Sequence, residues 1–227
     1  MSTLFEGTVS AHKLNVRAGP QSSFASLGLL SRGEAVGIEE LDASGTWGRI
    51  HASKPLQGWI SLKYTRFPED RESINVAASQ IGVKEISGAG ENNAHPKILQ
   101  YLASVDDLSD IQQSTDETAW CSCFVNWCVE RTGQNGTNSA RAVRWDDWQD
   151  SVNEIDVREG DLAVFSRKST TVNGGHVGFF VRFNDDKSEI LLLGGNQRNA
   201  VRYSWYPTDG KIGSFEYRLL SFRRFAQ

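Results

Sequence analysis

Two kinds of hydrophobic pattern follow each other along the chain. Up to residue 67, short apolar runs typical of strands are separated by Gly, Pro and Ser every eight to twelve residues, which predicts a small all-β barrel. From residue 72 the apolar positions first follow a helical period and then return to strand-like runs. Helices are predicted over 72–84, 96–105, 118–132 and 139–149, followed by five strands between 161 and 222. Helices followed by an antiparallel sheet predict an α+β domain.

A charged stretch that begins at Pro68 predicts the boundary between the two patterns. We therefore expect two domains, an all-β domain over residues 1–67 and an α+β domain over residues 73–227. With 227 residues, the chain is long enough for each of them to bury a core.

One helical stripe carries the first candidate for chemistry. Its apolar positions recur at i, i+3, i+4, i+7 and i+8, and they are Cys121, Phe124, Val125, Cys128 and Val129. Because Cys121 is the first of them, its thiol is expected at the N-terminal end of the buried face. Backbone N–H groups are free at a helix start, and together with the helix dipole they favour a thiolate and can hold an oxyanion.

The surroundings of this helix limit what the other residues can do. Asp116 and Glu117 precede it, and since their charges would oppose a thiolate, we expect both to face solvent. Cys123 and Cys128 are predicted to be small buried apolar residues. Three thiols cannot converge from one straight helix, and no second pair of ligands follows, so neither a zinc site nor a cofactor is expected.

A histidine opens the second predicted strand of the sheet. Turn-forming residues at 184–187 predict a hairpin centred on Asp186, which places His176 opposite Asn196. Directly opposed side chains share a face, with Cβ atoms about 5 Å apart. The Asn196 carbonyl can then accept from one ring N–H and leave the other nitrogen free for the thiol. A register error of one residue would put Gln197 there, so Gln197 is the reserve candidate.

A thiol, an imidazole and an amide in this order are the parts of a papain-like nucleophilic site. The motifs Trp-Cys-x-x-Phe-Val-Asn-Trp-Cys at 120–128, Gly-His-Val-Gly-Phe at 175–179 and Gly-Gly-Asn-Gln at 194–197 resemble NlpC-type and CHAP-type cell-wall peptidases and amidases. The resemblance implies a papain-like catalytic domain with Cys121 as nucleophile, His176 as base and Asn196 as orienting residue. Many NlpC-type relatives have a second His where this chain has Asn196, and a small residue such as Ala is commoner at the position of Cys123.

The resemblance covers most of residues 74–207 and implies further positions that contact the substrate. They are Glu85, Asn93, Trp120, Arg141 and Trp145. We expect the oxyanion to meet the backbone N–H of Cys121 and one donor from the segment 85–93.

Two stretches of the all-β part resemble bacterial SH3-like domains. They are Leu-Asn-Val-Arg-Ala-Gly-Pro at 14–20 and Gly-Trp-Ile at 58–60. Domains of that kind commonly accompany cell-wall hydrolases, where they bind wall peptides or shape the catalytic groove. Trp59 is expected to fill the core of the barrel, whereas Trp47 is assigned neither to the core nor to a groove.

Charge and composition argue against two classes of function. The net charge is −4, with seven Lys and Arg against five Asp and Glu in residues 1–67 and seventeen against twenty-three in the remainder. Neither part has the dense basic stripe of a nucleic-acid-binding protein. No run of eighteen apolar residues is present, so no membrane-spanning helix is expected.

The N-terminal residues lack the basic start and apolar core of a signal peptide, and free thiols are expected for the three cysteines. We therefore expect synthesis in the cytoplasm and action on the cell wall after lysis, export or delivery. An immunity or delivery protein is a candidate partner beside peptidoglycan itself.

The sequence thus predicts a hydrolase that cleaves amide bonds of peptidoglycan stem peptides through Cys121, His176 and Asn196. Amidase cleavage next to the sugar and endopeptidase cleavage within the stem use the same three residues, so both stay open. Two other classes also stay open. One is a peptidoglycan-binding module with an idle catalytic half, and the other is thiol-dependent acyl transfer or deamidation of a protein target.

Overall fold

The computed structural model describes residues 3–51, 55–68, 71–86 and 94–225. The chain forms two compact units, Met1–Gly82 and Val83–Gln227. The helix Glu72–Ser79 belongs to the first unit. None of the described helices is long and apolar enough to cross a membrane.

The first unit is an antiparallel sheet of short strands with one helix. Its elements are β1 (Phe5–Val9), β2 (Lys13–Arg17), β3 (Ser26–Ser31), β4 (Ala35–Leu41), β5 (Trp47–Ile50), β6 (Trp59–Ser61), a 3₁₀ turn (Leu62–Tyr64), β7 (Thr65–Arg66) and α1 (Glu72–Ser79). The strands pair in the order β3-β2-β6-β5-β4-β1-β7. Within the described residues no pairing of β3 with β7 closes this sheet, so a barrel is not shown and the SH3-like identity stays a prediction.

Alternation along the strands builds the core of the first unit. Val16, Ile38 and Ile60 are fully buried, as expected for strands that turn one face inward. Trp59 was expected in the core but is only half-buried, because it neighbours Ile60 on β6 and so lies on the opposite face of the strand. Trp47 is half-buried as well.

The second unit has the predicted order of helices followed by an antiparallel sheet. Its elements are α2 (Pro96–Leu102), α3 (Asp110–Gln113), α4 (Cys121–Glu130), a 3₁₀ turn (Ala142–Asp147), β8 (Asp150–Val152), a 3₁₀ turn (Glu154–Asp156), β9 (Leu162–Lys168), β10 (Asn173–Phe183), β11 (Glu189–Gly194), β12 (Arg202–Pro207), β13 (Asp209–Ile212) and β14 (Phe215–Arg224). The strand order is β12-β11-β10-β9-β14-β13, and β8 pairs with β14. The α+β class is therefore confirmed, while the predicted helix at 139–149 is a short 3₁₀ turn.

Aromatic packing holds α4 in place. Every residue of α4 except Glu130 is buried, and the ring of Tyr101 on α2 lies edge-on to those of Phe124 and Trp127 at 5.1 and 5.0 Å between centroids. At Gly195, just after β11, a Cβ would come within 2.6 Å of Phe124 and of the Trp120 ring. Only glycine therefore lets the end of β11 pack so closely against the first turn of α4.

A buried ion pair joins the start of β9 to the end of β14. Arg224 donates through Nε to Oδ1 of Asp161 and through Nη2 to Oδ2, each at 2.8 Å. Asp161 is 3% exposed, and its Oδ2 also accepts from the backbone N–H of Arg158 at 2.9 Å. Both carboxylate oxygens thus accept hydrogen bonds. The pair fixes the start of β9 against the end of the neighbouring strand β14.

We expect Arg224→Met to lower the free energy of unfolding of the second unit by about 3 kcal/mol, because it leaves the Asp161 carboxylate buried without its cation. Lys187→Met is the matched control, since the Lys187–Glu154 pair is exposed at both ends and its loss should cost less than about 1 kcal/mol. Urea unfolding followed by tryptophan fluorescence measures both, because five of the seven tryptophans lie in the second unit. Equal losses in the two variants would contradict the role given to the buried pair.

Candidate active site

The thiol of Cys121 lies against the strand that carries the predicted base. Cys121 is the first residue of α4, and its side chain is 7% exposed. The backbone N–H groups of Val177, Ser122 and Cys121 lie close enough to its sulfur to favour the thiolate. Since Val177 directly follows His176 on β10, the helix start and the histidine strand meet at this sulfur.

Burial decides the protonation state of the thiol. It raises the pKa of Cys121, and this effect exceeds the lowering caused by the Arg167 charge and by the three backbone N–H groups. The N–H groups at the helix start therefore act in the predicted direction, but burial outweighs them and favours the thiol in the free protein. The free-energy cost of burying a thiolate away from water exceeds the stabilisation that the terminal N–H groups and the helix dipole provide.

The imidazole of His176 is also neutral at rest. It is 2% exposed and stacks on the Tyr206 ring, with 4.6 Å between centroids and 16° between planes. The pKa of His176 is lowered to about 4, mainly by burial and to a smaller extent by the charge of Arg167, while the hydrogen bond with Gln197 opposes both. The resting site thus holds a thiol beside a neutral imidazole, not an ion pair.

The hairpin register is as predicted only at the end of the ladder nearest His176, because a bulge between Phe180 and Arg182 shifts the pairing by one residue toward the turn. Phe179 lies opposite Leu193, the register that would continue to His176 opposite Asn196. The ladder ends before that point, and Asn196 adopts a left-handed conformation with φ of 53°. The chain therefore leaves β11 after Gly194, before it reaches Asn196 and Gln197.

Gln197, not Asn196, contacts the imidazole. His176 Nε2–H donates to Oε1 of Gln197 at 3.2 Å, and the Gln197 amide nitrogen donates to the carbonyls of Leu192 and Arg202. Because two carbonyls engage the NH₂ end, the oxygen end must face the ring. The ring consequently carries its proton on Nε2, and Nδ1 is left as the acceptor. The predicted contact of Asn196 is thus replaced by the reserve candidate.

Two of the predicted substrate-binding residues contact each other. Trp120 is fully buried, and its Nε1 donates to Oε1 of Glu85 at 2.8 Å. Burial raises the pKa of Glu85, and the hydrogen bond from Trp120 opposes this shift. The backbone N–H of Glu85 donates to the Asn199 carbonyl at 2.9 Å. These contacts hold the segment 83–86 against the loop that carries Gln197.

The other predicted substrate-binding residues differ in exposure. Trp145 is fully buried and donates through Nε1 to Oγ of Ser122 at 2.8 Å, so it supports the residue next to the nucleophile. Arg141 is exposed. Asn93 lies outside the described residues, as does most of the segment predicted to supply the second oxyanion donor.

Asp116 is buried, contrary to the expectation that it faces solvent, whereas Glu117 is exposed as predicted. One carboxylate oxygen, Oδ2, accepts from the backbone N–H groups of Ile86 at 3.1 Å and His95 at 2.9 Å. Asp116 therefore joins Ile86 to His95, a role that its position ahead of a helix does not reveal.

Three side chains near the site were not predicted, namely Arg167 on β9, Tyr206 on β12 and Tyr217 on β14. The charge of Arg167 lowers the pKa of both Cys121 and His176. Strand alternation indicates that Arg167 shares a face with Phe165, but only the pairing of β9 with β10 brings that face to the histidine. Among the described residues, no group of three His, Cys, Asp or Glu side chains is arranged to hold a metal ion.

The fixed tautomer can be tested by ¹⁵N NMR of the histidine ring. We expect His176 to show a single Nε2–H tautomer near neutral pH. Gln197→Leu should remove this preference, because the ring then loses its only described acceptor for the Nε2 proton. Asn196→Ala is the matched control and should leave the spectrum unchanged. A tautomer that responds to Asn196→Ala and not to Gln197→Leu would reverse the assignment.

The buried imidazole predicts a specific loss of stability in acid. The pKa of His176 is about 4 in the folded chain against its ordinary value of 6.5, so between these values the unfolded chain binds a proton that the folded chain does not. The free energy of unfolding therefore falls as pH drops from 6.5 through 4, by roughly 3 kcal/mol for this group. In urea unfolding at these two pH values, His176→Asn should lose less stability than the unmodified protein. Equal losses would show that His176 is not buried in its neutral form.

Part of the second unit is similar to a known protein family. Residues 113–196 match the model described as the CHAP domain. The matched segment contains Cys121, His176 and Asn196 and ends one residue before Gln197. No curated protein matches the sequence.

Several solved structures are similar to the whole chain at low sequence identity. NlpC2 from Trichomonas vaginalis is 18% identical, with 96% of this chain and 71% of that chain covered and a TM-score of 0.40. NlpC1 from the same organism is 17% identical, with 96% and 68% covered and a TM-score of 0.39. An NlpC/P60 family protein from Bacillus cereus ATCC 10987 is 14% identical, with 97% and 63% covered and a TM-score of 0.38. The match of residues 113–196 is a similarity to the CHAP domain, which implies amidase- or peptidase-type hydrolysis in the cell wall.

Proposed function

We propose that the second unit is a cysteine hydrolase that cleaves amide bonds in peptidoglycan stem peptides, as an endopeptidase or an amidase. The observation that carries the proposal is the hydrogen bond from His176 Nε2–H to Gln197, next to a helix-start cysteine. It leaves Nδ1 of the ring as the base. The CHAP match supplies the class of substrate.

In the proposed reaction, Nδ1 of His176 takes the proton of Cys121 as the sulfur attacks the substrate carbonyl. Because both groups are neutral at rest, proton transfer accompanies attack and does not precede it. The imidazolium that forms keeps its Nε2–H bond to Gln197, whose carbonyl stabilises the new positive charge. Gln197 thus acts more strongly on the charged state than on the resting one, which is the condition for lowering a barrier.

The first turn of α4 supplies donors for the developing oxyanion. The backbone N–H groups of Cys121 and Ser122 lie near the sulfur and lower its pKa, although burial outweighs them. As the carbonyl carbon bonds to sulfur, its oxygen takes up negative charge within reach of these donors. The imidazolium of His176 then protonates the leaving amine. Water, deprotonated by His176, finally attacks the thioester and frees Cys121.

The first unit contains a feature that favours a role in wall binding. A cavity of about 710 Å³ lies in this unit, and it is lined by residues that include Glu6, Thr8, His51, Arg66 and Phe67. A volume of this size suits a short peptide or a sugar fragment. We propose that the first unit is an SH3-like domain that binds the wall, and that the protein reaches its substrate after lysis, export or delivery.

Cys121→Ala should lower the rate of fragment release from purified peptidoglycan by at least about a thousandfold, since the nucleophile is lost. Cys123→Ala is the matched control, because this neighbouring thiol is fully buried in the same helix and has no part in the reaction. Circular dichroism should show both variants folded. Normal digestion by Cys121→Ala would refute the proposed hydrolase.

Product analysis in the same experiment separates the other classes of function. Hydrolysis adds water to the products, deamidation of a protein target converts Gln to Glu, and acyl transfer adds a group. Sedimentation of the unmodified protein with peptidoglycan, with no fragments released, would instead indicate a binding module with an idle catalytic half.

A further inference from the structure

Arg167 occupies a position beside the candidate active site that the proposed reaction leaves without a task. On β9, Phe165 lies directly opposite His176, and Arg167 follows two residues later on the same face. Diagonal neighbours of this kind have Cα atoms about 7–8 Å apart, which a long side chain spans. The side chain of Arg167 therefore starts next to the imidazole.

The donors of this guanidinium are largely unused. Arg167 is half-buried, its Cζ lies 5.0 Å from the centre of the Phe215 ring, and the Tyr217 hydroxyl lies close enough to interact with its charge. Its Nε is buried without a partner. Within residues 3–51, 55–68, 71–86 and 94–225, Arg167 has no carboxylate partner, in contrast to Arg224, whose donors engage both oxygens of Asp161. A half-buried guanidinium with unused donors and no carboxylate partner is suited to bind an anion.

The backbone leaves room for such an anion. Gly174 lies directly opposite Arg167 on β10, and a Cβ built there would meet only Val172, at 3.8 Å. At the next residue, Gly175, a Cβ would come within 2.7 Å of the Phe165 carbonyl oxygen. The open space is therefore on the side of the strand that faces the guanidinium.

We infer that Arg167 binds a carboxylate of the substrate next to the amide bond that Cys121 attacks. The inference rests on the proposed hydrolase and narrows its substrate to a peptide with a free carboxylate beside the cleaved bond. The planar guanidinium can hold both oxygens of such a group, with the Phe215 ring beneath it and the Tyr217 hydroxyl nearby.

The charge of Arg167 also acts on the thiol of Cys121, and this effect is distinct from the binding of a carboxylate. Arg167 lowers the pKa of Cys121, so its removal also changes the amount of thiolate. That change alters the reaction of Cys121 with any electrophile, charged or neutral. Recognition of a carboxylate, by contrast, changes only the reaction with an electrophile that carries one.

Alkylation of Cys121 with iodoacetate and with iodoacetamide makes this separation, because the thiolate displaces iodide in both and only iodoacetate bears a carboxylate. The rates at alkaline pH are read by mass spectrometry of the peptide that contains Cys121. We expect Arg167→Gln to lower the ratio of the iodoacetate rate to the iodoacetamide rate by about tenfold. Lys168→Gln is the matched control, since Lys168 is an exposed cation on the opposite face of β9, and it should change the ratio less than about twofold.

A ratio that Arg167→Gln leaves within about twofold of the unmodified protein would overturn the inference, and so would a Cys121 that neither reagent reaches. Peptide substrates give the second measurement, as a pair that differs only in a carboxylate or a carboxamide beside the cleaved bond. Arg167→Gln should raise KM about tenfold for the carboxylate peptide, with kcat less affected and the carboxamide peptide unchanged. The alkylation ratio needs no cleavage, so it decides on Arg167 even if Cys121→Ala shows the proposed hydrolase to be wrong.

Discussion

The hydrogen bond between His176 and Gln197 depends on how tightly the Gln197 amide is held. The amide is 1% exposed, and its nitrogen is engaged by the carbonyls of Leu192 and Arg202. At Gly194 a Cβ would lie 3.1 Å from Oε1 of Gln197, so the absence of a side chain there gives the amide its space. The next glycine lets the same loop pack against α4. One Gly-Gly pair thus brings the orienting amide, the histidine strand and the cysteine helix together.

Sequence patterns were sufficient for the order of helices and strands in the second unit and for part of one hairpin register. Helical period placed Cys121 at the start of a helix, and turn chemistry placed His176 on a hairpin whose predicted pairing is observed at Phe179 and Phe180. The predicted contact of Asn196 with His176 was wrong, because the predicted register assumes that the strand continues to Asn196. Asn196, Arg198 and Asn199 all have positive φ, so the chain forms a turn where a ladder was expected. Such a loop is set by tertiary packing, which periodicity does not contain.

The electrostatic expectations from the sequence also depend on tertiary packing, and more strongly than the register does. The N–H groups of a helix start favour a thiolate, and an acidic side chain ahead of the helix is expected to face solvent. Both expectations assume that the groups are in contact with water. In the folded chain Cys121 and His176 are almost fully buried, and Asp116 is buried with its carboxylate bound to the backbone N–H groups of Ile86 and His95. Burial is a property of the assembled unit. It outweighs the helix-start effect at Cys121 and contradicts the expected exposure of Asp116, while the identity of the candidate nucleophile is unchanged.

The charge of Arg167 acts on the thiol and the imidazole in the same direction, since it lowers the pKa of both. Proton transfer from Cys121 to His176 depends on the difference between the two pKa values, so a shift shared by both largely cancels. A substrate carboxylate bound at Arg167, as proposed, would neutralise that charge and raise both values together. Recognition at Arg167 can therefore be strong without disturbing the proton transfer, which separates the choice of substrate from the chemistry performed on it.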